Sequence, residues 1–159
     1  KLNDAQLALS SIGQYDVAAS PLQMAMVAAG IANDGGLMEP YLTKSVRAAN
    51  LQTVWTHKDT PMSTPMTRES AKQLQQMMVS VVNNGTGRNA RIDGVTVGGK
   101  TGTAQTSPDK PPYAWFVGWS DKPKVAVAVF VESSNTERSE IAGGRLGAPI
   151  ARDVIEALR

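Results

Sequence analysis

The residues with the clearest chemical content form one run, Gly98-Gly99-Lys100-Thr101-Gly102-Thr103-Ala104-Gln105. It combines an ammonium, two hydroxyls and glycines that leave backbone accessible, a set suited to an anionic ligand. Two mechanisms use such a set. Counted from Gly94, the string Gly94-Val95-Thr96-Val97-Gly98-Gly99-Lys100-Thr101 satisfies the phosphate-loop pattern G-x-x-x-x-G-K-[ST]. That loop needs a strand before its first glycine and a helix after its Lys-Thr, because the helix N-terminus and backbone amides cradle the phosphates. The sequence fits neither requirement. Val95-Thr96-Val97 is itself strand-like, and the stretch from Gly102 to Pro108 has poor helix propensity and meets a proline. No acidic strand end for magnesium stands out downstream, so nucleotide binding is the remote alternative. The other mechanism makes Lys100-Thr101-Gly102 part of a strand. Alternation then sends Thr101 and Thr103 to one face and Lys100 to the other. A substrate strand pairing with the open backbone would be β-augmentation, and the hydroxyls and ammonium would suit a peptide ending in a carboxylate. A surface strand that is merely rich in Gly and Thr is a third reading that these residues alone leave open.

The elements that must position this run read as follows. Ser20-Pro21-Leu22-Gln23 is a capping-box pattern with proline at the first helical position, and it starts a helix that Asn33-Asp34-Gly35-Gly36 ends. Leu22 to Ala32 is small and apolar on nearly every side, which predicts burial all round. Residues 41–58 alternate weakly about Asn50 as a small hairpin, and Pro61 to Pro65 reads as a linker. A second helix begins after Thr67, with Glu69 where the helix dipole favours an acid. Its stripe is Ala71, Leu74, Met77, Met78, Val81 and Val82, it stops at Asn83-Asn84-Gly85, and a polar loop covers Thr86 to Asp93. Three strands then follow, Val95 to Gln105, Tyr113 to Trp119 and Lys124 to Val131. The last is apolar at every position from Val125, as in a strand buried on both faces. Trp115 and Trp119 share a face with Val117 as core residues, and Ile150, Ala151, Val154, Ile155 and Leu158 mark a closing helix. Helices, then an antiparallel sheet, then a helix is an α+β order, with no internal repeat and no domain linker, so residues 1–159 read as one unit.

Composition narrows the class. The 159 residues are 42% hydrophobic and 19% charged, the balance of a globular chain. Sixteen basic residues against 14 acidic give no electrostatic case for nucleic acid. The absence of cysteine removes disulfides and thiolate metal sites. His57, the only histidine, stands near Trp55 with no second ligand nearby in sequence, so no metal and no cofactor is expected. Arg88 and Arg91 read as solvated loop residues, with a place at the rim of a cleft as the alternative.

K-T-G, with S-x-x-K and an S-D-N-like element, is the signature set of β-lactamases and penicillin-binding proteins. The flanking sequence resembles the transpeptidase domain of class B penicillin-binding proteins. The resemblance is carried by Ser11-Ile12-Gly13-Gln14, Ser20-Pro21-Leu22-Gln23-Met24-Ala25 and Ile31-Ala32-Asn33-Asp34-Gly35-Gly36 with Pro40. It continues through Gly99 to Gln105, Ala114-Trp115-Phe116-Val117-Gly118, the valine-rich strand and the terminal helix, in the right order over almost the whole chain. It is most similar to a septation-associated member of that class.

The resemblance implies a penicillin-binding protein / β-lactamase-like fold with a five-stranded sheet, of which this chain would be the C-terminal portion. The N-terminal strands, the nucleophile-bearing helix and a membrane anchor are expected upstream of Lys1. Two strings match the missing motifs formally, Ser107-Pro108-Asp109-Lys110 and Ser133-Ser134-Asn135. Both follow Lys100, the first lies in a proline-rich turn that cannot place Ser and Lys on one helix face, and both read as turns. The implied activity is peptidoglycan D,D-transpeptidation on stem peptides ending in D-Ala-D-Ala, through a serine acyl-enzyme that β-lactam antibiotics also form. Lys100 would then supply positive charge and support proton movement. Thr101 and Thr103 would hold the terminal carboxylate, Gly102 would give the acyl chain room, and the Thr103 amide would be half of the oxyanion hole. The implied setting is the outer face of the bacterial cytoplasmic membrane, with cell-division proteins as partners. A β-lactam-binding or sensor module of the same fold, without turnover, is the alternative.

Overall fold

The computed structural model describes residues 2–105 and 110–159. Its elements in order are α1 (Asp4–Ser11), α2 (Pro21–Ala32), β1 (Leu37–Met38), β2 (Ser45–Arg47), β3 (Thr53–Thr56), β4 (Pro61–Ser63), α3 (Arg68–Asn84), β5 (Val97–Ala104), β6 (Tyr113–Asp121), β7 (Lys124–Val131) and α4 (Ala148–Ala157). A 3-10 turn at Arg88–Ala90 and a π-turn at Gly143–Gly147 complete the frame around β5.

The helix starts are local chemistry. Ser20 and Gln23 cap α2 reciprocally, each side chain on the other's backbone amide, and Thr67 accepts from the Ser70 amide at the head of α3. Asn3 and Gln6 form the same box on α1. That helix is not anticipated by the sequence reading, because it is weakly amphipathic and buries no residue.

Strands β5, β6 and β7 form an antiparallel meander in that order, with Gly102 opposite Trp115 and Trp115 opposite Phe130. One face carries Val97, Phe116 and Val129 and packs on Ala148, Ala151 and Ile155 of α4, with Val82, Ala90 and Ile92. The opposite face carries Trp119, which packs with Ile31 of α2 and Met78 of α3. The sheet is thus covered by helices on both sides, the α+β arrangement. Two glycines fix how close the layers come. A Cβ on Gly98 would meet the Trp119 indole at 2.5 Å, and one on Gly99 would sink into the Phe116 ring. Each aromatic ring lies over bare backbone.

Five expectations need correcting. Helix α2 is not buried all round: Leu22 and Val27 are exposed, and only Ala28, Gly30 and Ile31 are buried. Met77 leaves the core stripe of α3 for solvent while Met78 stays inside. Pro61 to Pro65 is not simply a linker, since Pro61–Ser63 is β4 and pairs with β1. Thr86 to Asp93 is not a plain polar loop, because it contains the 3-10 turn and buries Ala90 and Ile92 in the main core. β7 is only half-buried along most of its length. It is an edge strand of the meander among the described residues.

Candidate active site

β5 runs unbroken through Lys100-Thr101-Gly102, from Val97 to Ala104. No helix begins at Lys100, so the amide cradle of a phosphate loop is absent and that reading is overturned. Thr101 lies opposite Phe116 and Thr103 opposite Ala114, on the α4 side of the sheet. Lys100, opposite Val117, points to the other side with Trp119. The outer edge of β5 has no strand partner among the described residues, which leaves backbone donors and acceptors along the K-T-G run. Lys100 and Thr103 are exposed, and Thr101 and Gly102 are half-buried.

The Lys100 ammonium folds back to its neighbour, Nζ donating to the Thr101 carbonyl at 2.6 Å. The Thr101 hydroxyl lies 2.7 Å from that of Thr86. The π-turn covers the same place. A Cβ on Gly143 would collide with the Trp115 carbonyl and the Gly102 backbone, and one on Gly144 would strike the Thr86 carbonyl. Asn89 Nδ2 donates to the Gly144 carbonyl at 2.8 Å and so ties the 3-10 turn to the π-turn. Thr86, Asn89 and the two glycines are the site neighbours that sequence reasoning missed. The available signal was the glycine pair Gly143-Gly144, which no turn pattern required.

The other singled-out residues lie elsewhere. Ser133-Ser134-Asn135 follows the end of β7 without regular structure, and Ser107-Pro108-Asp109 lies outside the described residues. His57 stacks on Tyr41 with ring centroids 3.6 Å apart. Arg88 Nε donates to the Gly85 carbonyl, and Arg91 lines a shallow concavity with Arg152, Glu156 and Arg159. A second concavity sits on α3 around Arg68 and Lys72. Neither of these two concavities includes a residue of β5.

The junction of α2 and α3 is tied together by side chains. Arg68 donates from Nε and Nη2 to one oxygen of Asp34 at 3.0 and 2.9 Å, and Gln75 donates to the Ile31 carbonyl at 2.7 Å. Partial burial of the Asp34 carboxyl opposes ionisation. The Gln75 and Arg68 hydrogen bonds and the Arg68 and Lys72 charges outweigh it and hold the carboxyl below the usual value.

An antiparallel sheet with helices on both faces and a K-T-G strand at its edge is the penicillin-binding, β-lactamase-like α+β class. The model of the penicillin-binding protein transpeptidase domain matches residues 1–156, and this chain belongs to that family. It is 42% identical over 158 residues, 96% of its length, to peptidoglycan D,D-transpeptidase PbpA of Mycolicibacterium smegmatis. It is 33% identical over 139 residues, 77% of its length, to peptidoglycan D,D-transpeptidase MrdA of Acinetobacter baumannii. In structure it is similar to PBPA from Mycobacterium tuberculosis, with TM-score 0.87, 39% identity and 99% of this chain covered, against 38% of that one. An imipenem acyl-enzyme complex of penicillin-binding protein A from M. tuberculosis matches with TM-score 0.85 at 38% identity, covering 99% of this chain and 35% of that one. The chain spans about a third of the length of PbpA and about a fifth of that of MrdA.

Proposed function

We propose that this chain is the K-T-G-bearing portion of a peptidoglycan D,D-transpeptidase that β-lactams acylate. The observation that carries the proposal is the edge strand β5, with Lys100 on one face, Thr101 and Thr103 on the other, and no strand partner on its outer edge among the described residues. In the proposed reaction a serine Oγ from the S-x-x-K element attacks the penultimate D-Ala carbonyl of a stem peptide. The C–N bond to the terminal D-Ala breaks, and that residue leaves with the proton. An amine from a neighbouring strand then attacks the ester, forms the new amide and returns the proton to serine. Lys100 contributes positive charge beside the transferring proton, and the Thr101 and Thr103 hydroxyls bind the terminal carboxylate. The Thr103 amide faces the developing oxyanion, a donor whose loss typically costs ~3 kcal/mol. Gly102 leaves room for the acyl chain. Residues 1–159 act as one portion of the transpeptidase domain, on the outer face of the cytoplasmic membrane, with cell-division proteins as partners.

The test is covalent labelling. Full-length protein incubated with a fluorescent penicillin is expected to carry one adduct, blocked by unlabelled penicillin and mapped by mass spectrometry to a serine outside residues 1–159. Residues 1–159 alone should take no label. Absence of label on the full-length protein, or an adduct on Ser107 or Ser133, overturns the proposal.

A further inference from the structure

The Thr101 hydroxyl meets that of Thr86. Thr86 Oγ1 lies 2.7 Å from Thr101 Oγ1, and by geometry either oxygen is able to donate. Thr86 is held there from several directions. It sits in the turn that ends α3, where the amides of Gly85 and Gly87 on either side of it both donate to the Val81 carbonyl at 3.0 Å. The π-turn runs close by: a Cβ on Gly144 would strike the Thr86 carbonyl and lie 3.4 Å from Thr101 Cγ2. Asn89 then fixes the Gly144 carbonyl. The end of α3, the 3-10 turn and the π-turn therefore converge on one pair of hydroxyls.

A hydroxyl has one proton to give and lone pairs with which to accept. A Thr101 that donates its proton to a carboxylate has to take its second hydrogen bond as an acceptor. That fixes the direction of the pair: Thr86 O–H donates to Thr101 Oγ1, and the Thr101 proton is turned outward. Hydrogen bonds in such a chain polarise one another, which strengthens the outer donor. Resting on the transpeptidase reading above, we propose that Thr86 is a positioning residue for carboxylate recognition. It touches no substrate and acts by setting the Thr101 hydroxyl rotor.

A hydrogen bond that merely steadies the turn predicts equal damage to every acylating ligand, whereas a rotor-setting role predicts damage only where the ligand carries an anionic carboxylate. Acylation rates of the full-length protein are to be measured with benzylpenicillin and with its methyl ester. Thr86→Val keeps the branched shape and removes the donor. It is expected to slow acylation by the acid about tenfold, the value of one hydrogen bond, and acylation by the ester less than about twofold. Thr86→Ser should restore the acid rate. In a Thr101→Val background, Thr86→Val should cost nothing further, because its route of action is gone. Thermal unfolding checks that the variants fold, and Thr86→Ala replaces Thr86→Val where the latter does not. Equal losses for acid and ester, a Thr86→Ser variant as slow as Thr86→Val, or additive losses with Thr101→Val would overturn the role of Thr86 alone. A wild-type protein that neither ligand acylates would overturn the transpeptidase reading, and the role of Thr86 with it.

Discussion

The β5–β6–β7 meander and the β2–β3 ribbon are both antiparallel and both carry aromatic residues, yet they use them differently. In the meander, Phe116 is fully buried and Trp119 nearly so, because each ring lies on a glycine of β5 and under a helix. In the ribbon, Val46 faces Trp55 across the strands, and both remain about 45% exposed. Tyr41 and Trp55 each contact the His57 ring there, as a surface stack. The residue types are alike and the surroundings are not. An aromatic side chain becomes core when the opposite strand leaves a space its own size and another layer closes over it. Where neither happens, cross-strand contact alone contributes about 0.2–1 kcal/mol per pair.

The largest effect expected from this contrast is on stability. Phe116→Ala removes a side chain with no exposure from beneath Ala148 and above Gly99, and should cost about 3–5 kcal/mol in chemical denaturation. A loss under ~1 kcal/mol would mean that the meander packs no better than the ribbon. Next comes a residue of the meander that should matter for chemistry and not for folding. Lys100→Ala in the full-length protein is expected to slow penicillin acylation ~100-fold or more, with the thermal midpoint little changed, since Lys100 is exposed. Magnesium-dependent ATP binding by the wild type, lost in the variant, would revive the phosphate-loop reading. Unimpaired acylation would remove Lys100 from the site.

A smaller effect is expected at the α2–α3 junction. Because the Asp34 carboxyl is held below its usual value in the folded state, its contribution is complete above the unfolded-state value. It is lost as pH falls through the lower folded-state value. Asp34→Asn should therefore lower the thermal midpoint modestly at pH 7, and the gap from wild type should close under strongly acidic conditions. A gap that persists there would assign the effect to the turn and not to the ion pair. The smallest effect belongs to the ribbon: Trp55→Ala should cost under about 1 kcal/mol and leave acylation unchanged. A larger loss would show that the surface stack is part of a packed interface.

The sequence spelled out the parts whose cause is local. Capping residues at Ser20 and Thr67, the change of period at Val95 and the apolar run to Val131 all correspond to elements of the structure. The opposed faces of Lys100 and Thr101 follow from strand alternation and are present in β5. What the sequence hid depends on contacts far apart along the chain. Ala90 and Ile92 are buried because a turn after α3 meets α4, some sixty residues away, and nothing local marks them as core. Met77 and Met78 are adjacent and alike, and only the neighbouring Trp119 and Ile31 decide which one goes inside. Pro61–Ser63 becomes a strand because Leu37–Met38 lies beside it, although its proline content argues for a linker. Thr86 was invisible as a site neighbour for the same reason, being fifteen residues from Thr101 in sequence and 2.7 Å from it in space.

Gly98 and Gly99 have a consequence for strand alignment as well as for packing. They are consecutive, so they bare the two opposite faces of β5, and each of the two glycines receives one aromatic ring from the next strand. A slip of β5 by one position would exchange the faces of Lys100 and Thr101. A slip by two would keep the faces but offer Lys100 and Thr101, or Thr96 and Val97, where Trp119 and Phe116 now rest on bare backbone. Every such misalignment puts a side chain where a ring must lie, and only one setting is free of collision. The glycine pair thus works as a two-sided key for the hairpin, and the position of Lys100 and Thr101 along the open edge is the setting that the key selects.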